Sequence, residues 1–302
     1  MTNAELVHSI IKTTPDDHDH WLQLRSKVLT STEVSALFGL SPYMTEFELW
    51  HTKKKEEIVV LDQNERMFWG DRLEYVIAES ICEKNEFAGK PLKDFWRSAD
   101  IKLGASFDWM IETDEGMGLL EIKNVDGLVF RDKWRKDEDG NILAPPHIEL
   151  QCQAQLAVAQ MDFMYIGALV GGNKLEVLKR VRNEKIIDAI CKKTQEFWDS
   201  IDRNEPPEID FEKDADYIFK LFKYAEPKKI LEIDGQKEIY HLATNYKEAA
   251  DIEKNAISKK KAAKAEILTI INDYEKVKHP DFTISASVSK RGVRNFRINW
   301  RD

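Results

Sequence analysis

Asp108, Glu121 and Lys123 are the residues of this chain whose types and spacing point most directly to chemistry. Residues 106–111 and 118–124 are apolar-rich runs flanking Thr113-Asp114-Glu115-Gly116, a composition suited to a tight β-hairpin. A symmetric closure sets Asp108 across from Glu121. Side chains alternate along a strand, so Glu121 and Lys123 share one face and Ile122 takes the other. Like charges facing each other on a sheet repel, and a divalent cation between them converts the repulsion into coordination. Carboxylate oxygens and water suit Mg²⁺ or Mn²⁺. Lys123 then stands beside the metal, able to hold the attacking water. Leu119, Leu120 and Val125 make the strand apolar, and buried carboxylates without partners are too costly to be decoration.

Other candidates surround this hairpin. Trp21-Leu22-Gln23-Leu24-Arg25 precedes Thr30-Ser31-Thr32-Glu33-Val34. Hydroxyls at a helix start beside an arginine form a phosphate pocket; the alternative is an ordinary helix cap with Glu33 completing a capping box. Glu74, within Trp69-Gly70-Asp71-Arg72-Leu73-Glu74, offers a third carboxylate or a surface ion pair. Gln151 and Gln153 lie in Leu150-Gln151-Cys152-Gln153-Ala154-Gln155-Leu156. They reach a metal-bound water, a phosphate or Lys123, or else satisfy backbone groups at a sheet edge.

The elements that must position these groups can be outlined. Residues 20–85 read as mainly helical, with Thr30 or Ser31 capping a helix through Phe38 that Gly39 ends. Pro145-Pro146 opens a helix through Met161, and residues 163–170 and 174–181 form a second hairpin around Gly171-Gly172-Asn173. A helix over 184–203 ends at Pro206-Pro207, where the domain boundary is placed: 1–208, then a 209–302 extension. The extension holds a long helix over 246–276, whose Ala249, Ile252, Ala256, Ala263, Ile267, Ile270 and Tyr274 approach a 3.5-residue spacing. A hairpin over 282–288 and 293–300 follows.

Composition narrows the class. With 302 residues, 33% charged and 10% aromatic, the chain suits a globular protein, and no run reaches the ~20 apolar residues of a membrane span. Met1-Thr2-Asn3-Ala4-Glu5 lacks the layout of a signal peptide, and Cys82, Cys152 and Cys191 are scattered, so a reducing cytoplasm is expected. The net charge of −9 is unlike a nucleic-acid protein, yet Lys53-Lys54-Lys55, Lys259-Lys260-Lys261 and the last dozen residues concentrate positive charge.

In their order as well as their kind, WLQLR…TSTEV, WGDRLE, SFD, LEIK and LQCQAQ resemble the YqaJ-type viral recombinases. These are phage alkaline exonucleases of the PD-(D/E)xK nuclease superfamily. The resemblance, from about Trp21 to Pro207, implies an α/β fold with a restriction-endonuclease-like core: a central mixed β-sheet flanked by helices. It implies a metal-dependent 5′→3′ double-strand DNA exonuclease of phage homologous recombination, leaving 3′ single-stranded tails. Asp108, Glu121, the Ile122 carbonyl and Glu74 would bind Mg²⁺ or Mn²⁺, two per site. Lys123 would position the nucleophilic water, and Gln151 and Gln153 would line the site. Arg25, Thr32 and Ser106 would hold a terminal 5′-phosphate. Duplex DNA ends, a single-strand annealing protein and a homo-oligomeric ring are the implied partners, in a bacterial cytoplasm under phage or prophage control. Phe107 stands where the family usually has proline, and Thr32 where it has serine. Endonuclease or repair chemistry without end dependence, or a non-catalytic DNA-end adaptor, are the competing readings. In the last hairpin Lys290, Arg291, Arg294 and Arg297 are candidate DNA contacts beside Phe296 and Trp300; the apolar members equally suit covering the long helix.

Overall fold

The computed structural model describes residues 7–55, 64–233 and 235–301; the leading Met1–Glu5 lies outside them. The chain divides into two compact units, Met1–Lys223 and Tyr224–Asp302. The first begins with β1 (Ile10–Thr13), α1 (His18–Ser26), β2 (Leu29–Thr30), a 3₁₀ turn (Val34–Phe38), α2 (Glu46–Lys54) and α3 (Glu65–Asn85). Next come β3 (Ala88–Pro91), β4 (Phe95–Ser98), β5 (Leu103–Ala105), β6 (Trp109–Thr113), β7 (Gly116–Val125) and α4 (Gly127–Lys133). It closes with β8 (Arg135–Lys136), β9 (Ile142–Leu143), α5 (Pro146–Ala159), β10 (Phe163–Val170), β11 (Lys174–Val181), α6 (Glu184–Arg203) and α7 (Ala215–Leu221).

A five-stranded mixed sheet in the order β11-β10-β7-β6-β3 forms the centre. The hairpin strands β6 and β7 are antiparallel, Trp109 opposite Leu120 and Thr113 opposite Gly116, while β7 runs parallel to β10. Alternation splits β7 between two cores. Leu120 and Ile122 face α3 with Ile77, Ala78 and Ile81. Leu119 and Val125 join the core around α5, with Cys152, Ala154 and Leu156. The sheet therefore lies between α3 and α5, the α/β layering expected for strands buried on both faces.

Caps and ion pairs fix the helices. Asn64 accepts from Met67 N at the start of α3. Pro145 and Pro146 open α5, and Gln160 ends it in the left-handed region at φ 56°. Arg180 on β11 donates from Nε and Nη2 to the two oxygens of Glu149, both at 2.7 Å, and Glu149 also accepts from Ala144 N. This bidentate clamp sets the first turn of α5 against the sheet.

Several elements differ from the sequence reading. A four-stranded sheet, β1-β4-β5-β2, accompanies the central one. Its strands have two to four residues, too short for an alternation signal. Pro206-Pro207 follows α6, yet the compact unit runs on to Lys223. Tyr217 of α7 is buried, its ring 6.2 Å from Phe47 and 6.0 Å from His51 on α2. A proline pair stops a helix but does not stop packing. Lys53 is buried and paired with Glu33, and Lys54 donates to the Ile201 carbonyl, so two lysines of the first triplet are structural.

The second unit holds α8 (Lys237–Ile271) and a three-stranded sheet of β12 (Lys276–Lys278), β13 (Phe282–Ser285) and β14 (Arg297–Trp300). The helix stops five residues before the expected 276, a turn follows over 272–275, and β12 begins at Lys276. Ile267, Leu268 and Ile271 pack on Ile284, Ile298 and Phe296.

Gly167 of β10 lies beside Ile122, and a methyl group there would overlap the Ile81 side chain of α3 and crowd Ile122 and Leu120. Gly167→Ala is expected to lower unfolding free energy by about 1–3 kcal/mol, the usual range for overpacking, as measured by urea denaturation.

Candidate active site

The Trp109–Leu120 pair is the last in the β6–β7 ladder, and Asp108 immediately precedes it. The same register carried one step further sets Asp108 across from Glu121. The Asp108 carboxylate does not continue the ladder; it accepts the Ile122 N–H at 2.7 Å. Glu121 is buried, 4% exposed. Its Oε1 accepts from Lys123 Nζ and from Gln151 Nε2 at 2.7 Å, and its Oε2 accepts from Gln155 Nε2 at 2.7 Å. Three donors thus hold one carboxylate, as burial of a charge requires.

Gln151 and Gln155 are four apart on α5 and stack on one helix face. Gln153 points elsewhere. Its Nε2 donates to the Val181 carbonyl at 3.0 Å and its Oε1 accepts from Asn183 N at 2.8 Å. It fastens the exit of β11 to α5, the backbone-satisfying role open to these glutamines from the start. The expectation that Gln153 lines the site is corrected: two residues along a helix rotate a side chain by about 200°. Gln155, passed over, was marked by the helical period alone.

Glu74 lies on α3, across the sheet from α5. Burial raises its carboxyl above the ordinary range, Glu121 and Asp71 add to the effect, and Lys123 opposes it. Burial likewise raises Asp108 well above the usual carboxylate value, with Glu121 and Glu74 reinforcing and Lys123 and the Ile122 N–H opposing. Burial disfavours the Lys123 ammonium, but Glu121 and Asp108 outweigh it and hold Lys123 above the usual lysine value.

Among the described residues no three His, Cys, Asp or Glu side chains converge as a metal-holding group. Asp108 and Glu121 are the acidic donors left, with the Ile122 carbonyl as a third oxygen. A set of two carboxylates suits a hard cation such as Mg²⁺, which keeps most of its waters. The raised Asp108 carboxyl marks a place where added positive charge is favoured. The residues fit such an ion.

The N-terminal cluster adjoins this pair. Trp21 Nε1 donates to Ser106 Oγ at 2.9 Å, the Arg25 guanidinium lies 4.4 Å from the Trp21 ring centre, and Arg25 Nη2 donates to Thr32 Oγ1 at 3.3 Å. Beneath them Glu33 accepts from Thr30 N at 2.8 Å and pairs with Lys53 at 2.9 Å, while Lys53 Nζ donates to the Arg25 carbonyl at 2.9 Å. The Glu33 half of the capping box is formed, and it lies beside Arg25 and the Thr30 and Thr32 hydroxyls. Ser106 joins the two clusters, since its carbonyl accepts from Gln155 Nε2 at 3.1 Å. Trp21, Lys53 and Gln155 are the members to which residue type alone gave no role here; their partners Ser106, Glu33 and Glu121 are distant in sequence.

The terminal basic candidates separate by role. Arg294 donates to the Ala286 and Tyr274 carbonyls and so braces the second unit. Lys290, Arg291 and Arg297 are exposed. Phe296 and Ile298 pack toward α8, while Trp300 is 70% exposed against Phe282.

Because the Asp108 pKa is raised on folding, the native state binds its proton more tightly than the unfolded chain. Its penalty is absent below the ordinary carboxylate pKa of about 4 and grows as pH rises through the raised value. In chelator, Asp108→Asn should therefore gain stability relative to the wild type as pH rises above about 4. Urea denaturation across that range measures the difference.

The curated relative "Uncharacterized protein YqaJ" of Bacillus subtilis (strain 168) is 27% identical over 229 residues, spanning 74% of this chain and 69% of the relative. An alkaline exonuclease, LHK-Exo from Laribacter hongkongensis, is 14% identical with a TM-score of 0.47, covering 67% of this chain and 99% of that one. A phage related exonuclease from Haemophilus somnus 129PT is 12% identical with a TM-score of 0.40, covering 59% and 96%. At this similarity no residue role passes from those two structures to this chain. No described helix is long and apolar enough to cross a membrane. The model of the YqaJ-like viral recombinase domain matches residues 20–162, which include Arg25, Asp108, Glu121, Lys123 and Gln155.

Proposed function

We propose that the chain is a metal-dependent DNA exonuclease that degrades one strand of a duplex 5′→3′ from an end, leaving 3′ single-stranded tails for phage-type recombination. The observation that carries this reading is the path from Arg25, stacked on Trp21, through the hydrogen bonds of Trp21 to Ser106, of Gln155 to the Ser106 carbonyl and of Gln155 to Glu121. A terminal phosphate at Arg25, Thr32 and Ser106 would be held at a set distance from a phosphodiester at the acid pair.

Asp108, Glu121 and the Ile122 carbonyl would hold Mg²⁺ or Mn²⁺, two ions per site, with Glu74 contributing through water. The ions would supply Lewis-acid stabilisation of the charge that develops in phosphodiester hydrolysis. Lys123 donates to Glu121 and orients a nucleophilic water beside the phosphorus. Gln151 and Gln155 fix the Glu121 carboxylate in one rotamer, which reduces the reorganisation needed during reaction. Arg25, stacked on Trp21, is a planar cation suited to a terminal phosphate. A homo-oligomeric ring would retain the duplex, a single-strand annealing protein would take up the exposed tail, and the bacterial cytoplasm would be the setting.

Digestion with Mg²⁺ of linear duplexes bearing 5′-phosphate or 5′-hydroxyl ends, and of covalently closed circles, tests the proposal. Degradation of linear DNA alone, fastest with a 5′-phosphate, is expected. Cutting of the closed circle overturns end dependence, and no cutting with any divalent ion overturns the nuclease. Lys123→Ala is expected to abolish cleavage with an unchanged circular dichroism spectrum. Arg25→Ala should slow digestion of 5′-phosphorylated ends by about tenfold or more, the value of one charge-assisted hydrogen bond, and affect 5′-hydroxyl ends less.

A further inference from the structure

We infer that the outer face of the β12–β13–β14 sheet is a second nucleic-acid site, binding the phosphate backbone of duplex DNA without regard to sequence. The inference rests on the reading of the chain as a DNA enzyme and adds a contact surface in its second unit.

The argument begins with charge. The whole chain carries 45 Lys and Arg against 54 Asp and Glu, whereas residues 224–302 carry 16 against 12, a net charge of +4 in a chain of −9. Charge asymmetry of this kind points to a polyanionic partner. The sheet then sorts the residues. Val277, Ile284 and Ile298 turn to the apolar face beneath α8, so alternation gives their neighbours the other face. The register aligns Lys276 with Ser285 and Arg297, and Lys278 with Thr283 and Asn299. Three cations, two hydroxyls and an amide share that face, and no acid lies among them. None of the six side chains has a hydrogen bond or ion pair among the described residues, unlike Arg294, which is spent on two carbonyls.

These residue types are the ones that contact DNA phosphates: Lys and Arg for charge, Ser, Thr and Asn for hydrogen bonds. Lys276 and Lys278 stand about 6.6 Å apart by strand rise, so one edge strand can neutralise successive charges along a backbone. Trp300 belongs to the opposite face, so the outer face has no aromatic platform for unstacked bases, which favours a duplex over a single strand.

The test is binding of a fluorescent duplex by the full chain in EDTA, followed by anisotropy over a salt series, with Lys276→Ala, Lys278→Ala and Arg297→Ala combined. Affinity should fall at least tenfold, and the slope of log affinity against log salt should shrink by about 2–3, near 0.9 per phosphate contact. Two further variants fix the interpretation. Lys276→Arg, Lys278→Arg and Arg297→Lys together should retain binding. Lys259→Ala, Lys260→Ala and Lys261→Ala on α8, with the same loss of charge, should change it little. Unchanged affinity and slope in the first variant, or an equal loss in the α8 variant, overturns the inference. So does tighter wild-type binding to a single strand of equal length. Cleavage of linear duplex by the wild type with Mg²⁺, measured separately, reports on the nuclease reading: loss of binding without any wild-type cleavage supports the sheet face and refutes the nuclease, and the converse pattern does the reverse.

Discussion

The buried Glu121 carboxylate is the constraint on which the rest of the first unit depends. A carboxylate 4% exposed survives only if its oxygens are hydrogen-bonded. Here the donors come from its own strand, through Lys123, and from one face of α5, through Gln151 and Gln155. That requirement fixes the rotation of α5 about its axis and its height over β7. The Glu149–Arg180 clamp holds the same helix to β11 at its other contact. Asp108 adds a second acid across the hairpin, which leaves local repulsion that Lys123 offsets only in part. The repulsion is the physical reason a cation would be welcome there.

Ser106 gives this arrangement reach. Its carbonyl takes a hydrogen bond from Gln155, which also holds Glu121, and its hydroxyl takes one from Trp21, so one residue links the glutamine that holds the acid to the arginine cluster. Displacing α1 would move Trp21 and Arg25 relative to Glu121, and buried Lys53 resists this by holding the Arg25 carbonyl. These contacts hold the arginine cluster in fixed relation to the Glu121 carboxylate.

The two units differ in electrostatic character. The first carries the whole acidic excess, with 29 Lys and Arg against 42 Asp and Glu, yet gathers Arg25 and Lys53 in one cluster. The second concentrates cations on one sheet face and covers the other with α8. Net charge for the whole chain hides both facts, because the field near a surface is set by local arrangement.

Much of this was legible in the residues themselves. The β6–β7 hairpin, with Asp108 set opposite Glu121 by register, follows from alternation and a turn of Thr, Asp, Glu and Gly. The β10–β11 hairpin follows from Gly171-Gly172-Asn173, and α5 from Pro145-Pro146. Local periodicity also contained the pairing of Gln151 with Gln155, though residue type drew notice to Gln153. The short strands of the second sheet, the packing of Tyr217 beyond the proline pair and the burial of Lys53 had no local signal. Each depends on a partner far along the chain, since burial and ion pairing are properties of the assembled core and not of a segment. The sequence by itself determined which groups are chemically able and which share a strand or helix face. Only the tertiary structure decided which of them meet, because α1, α5 and the hairpin are brought together by packing on a common sheet.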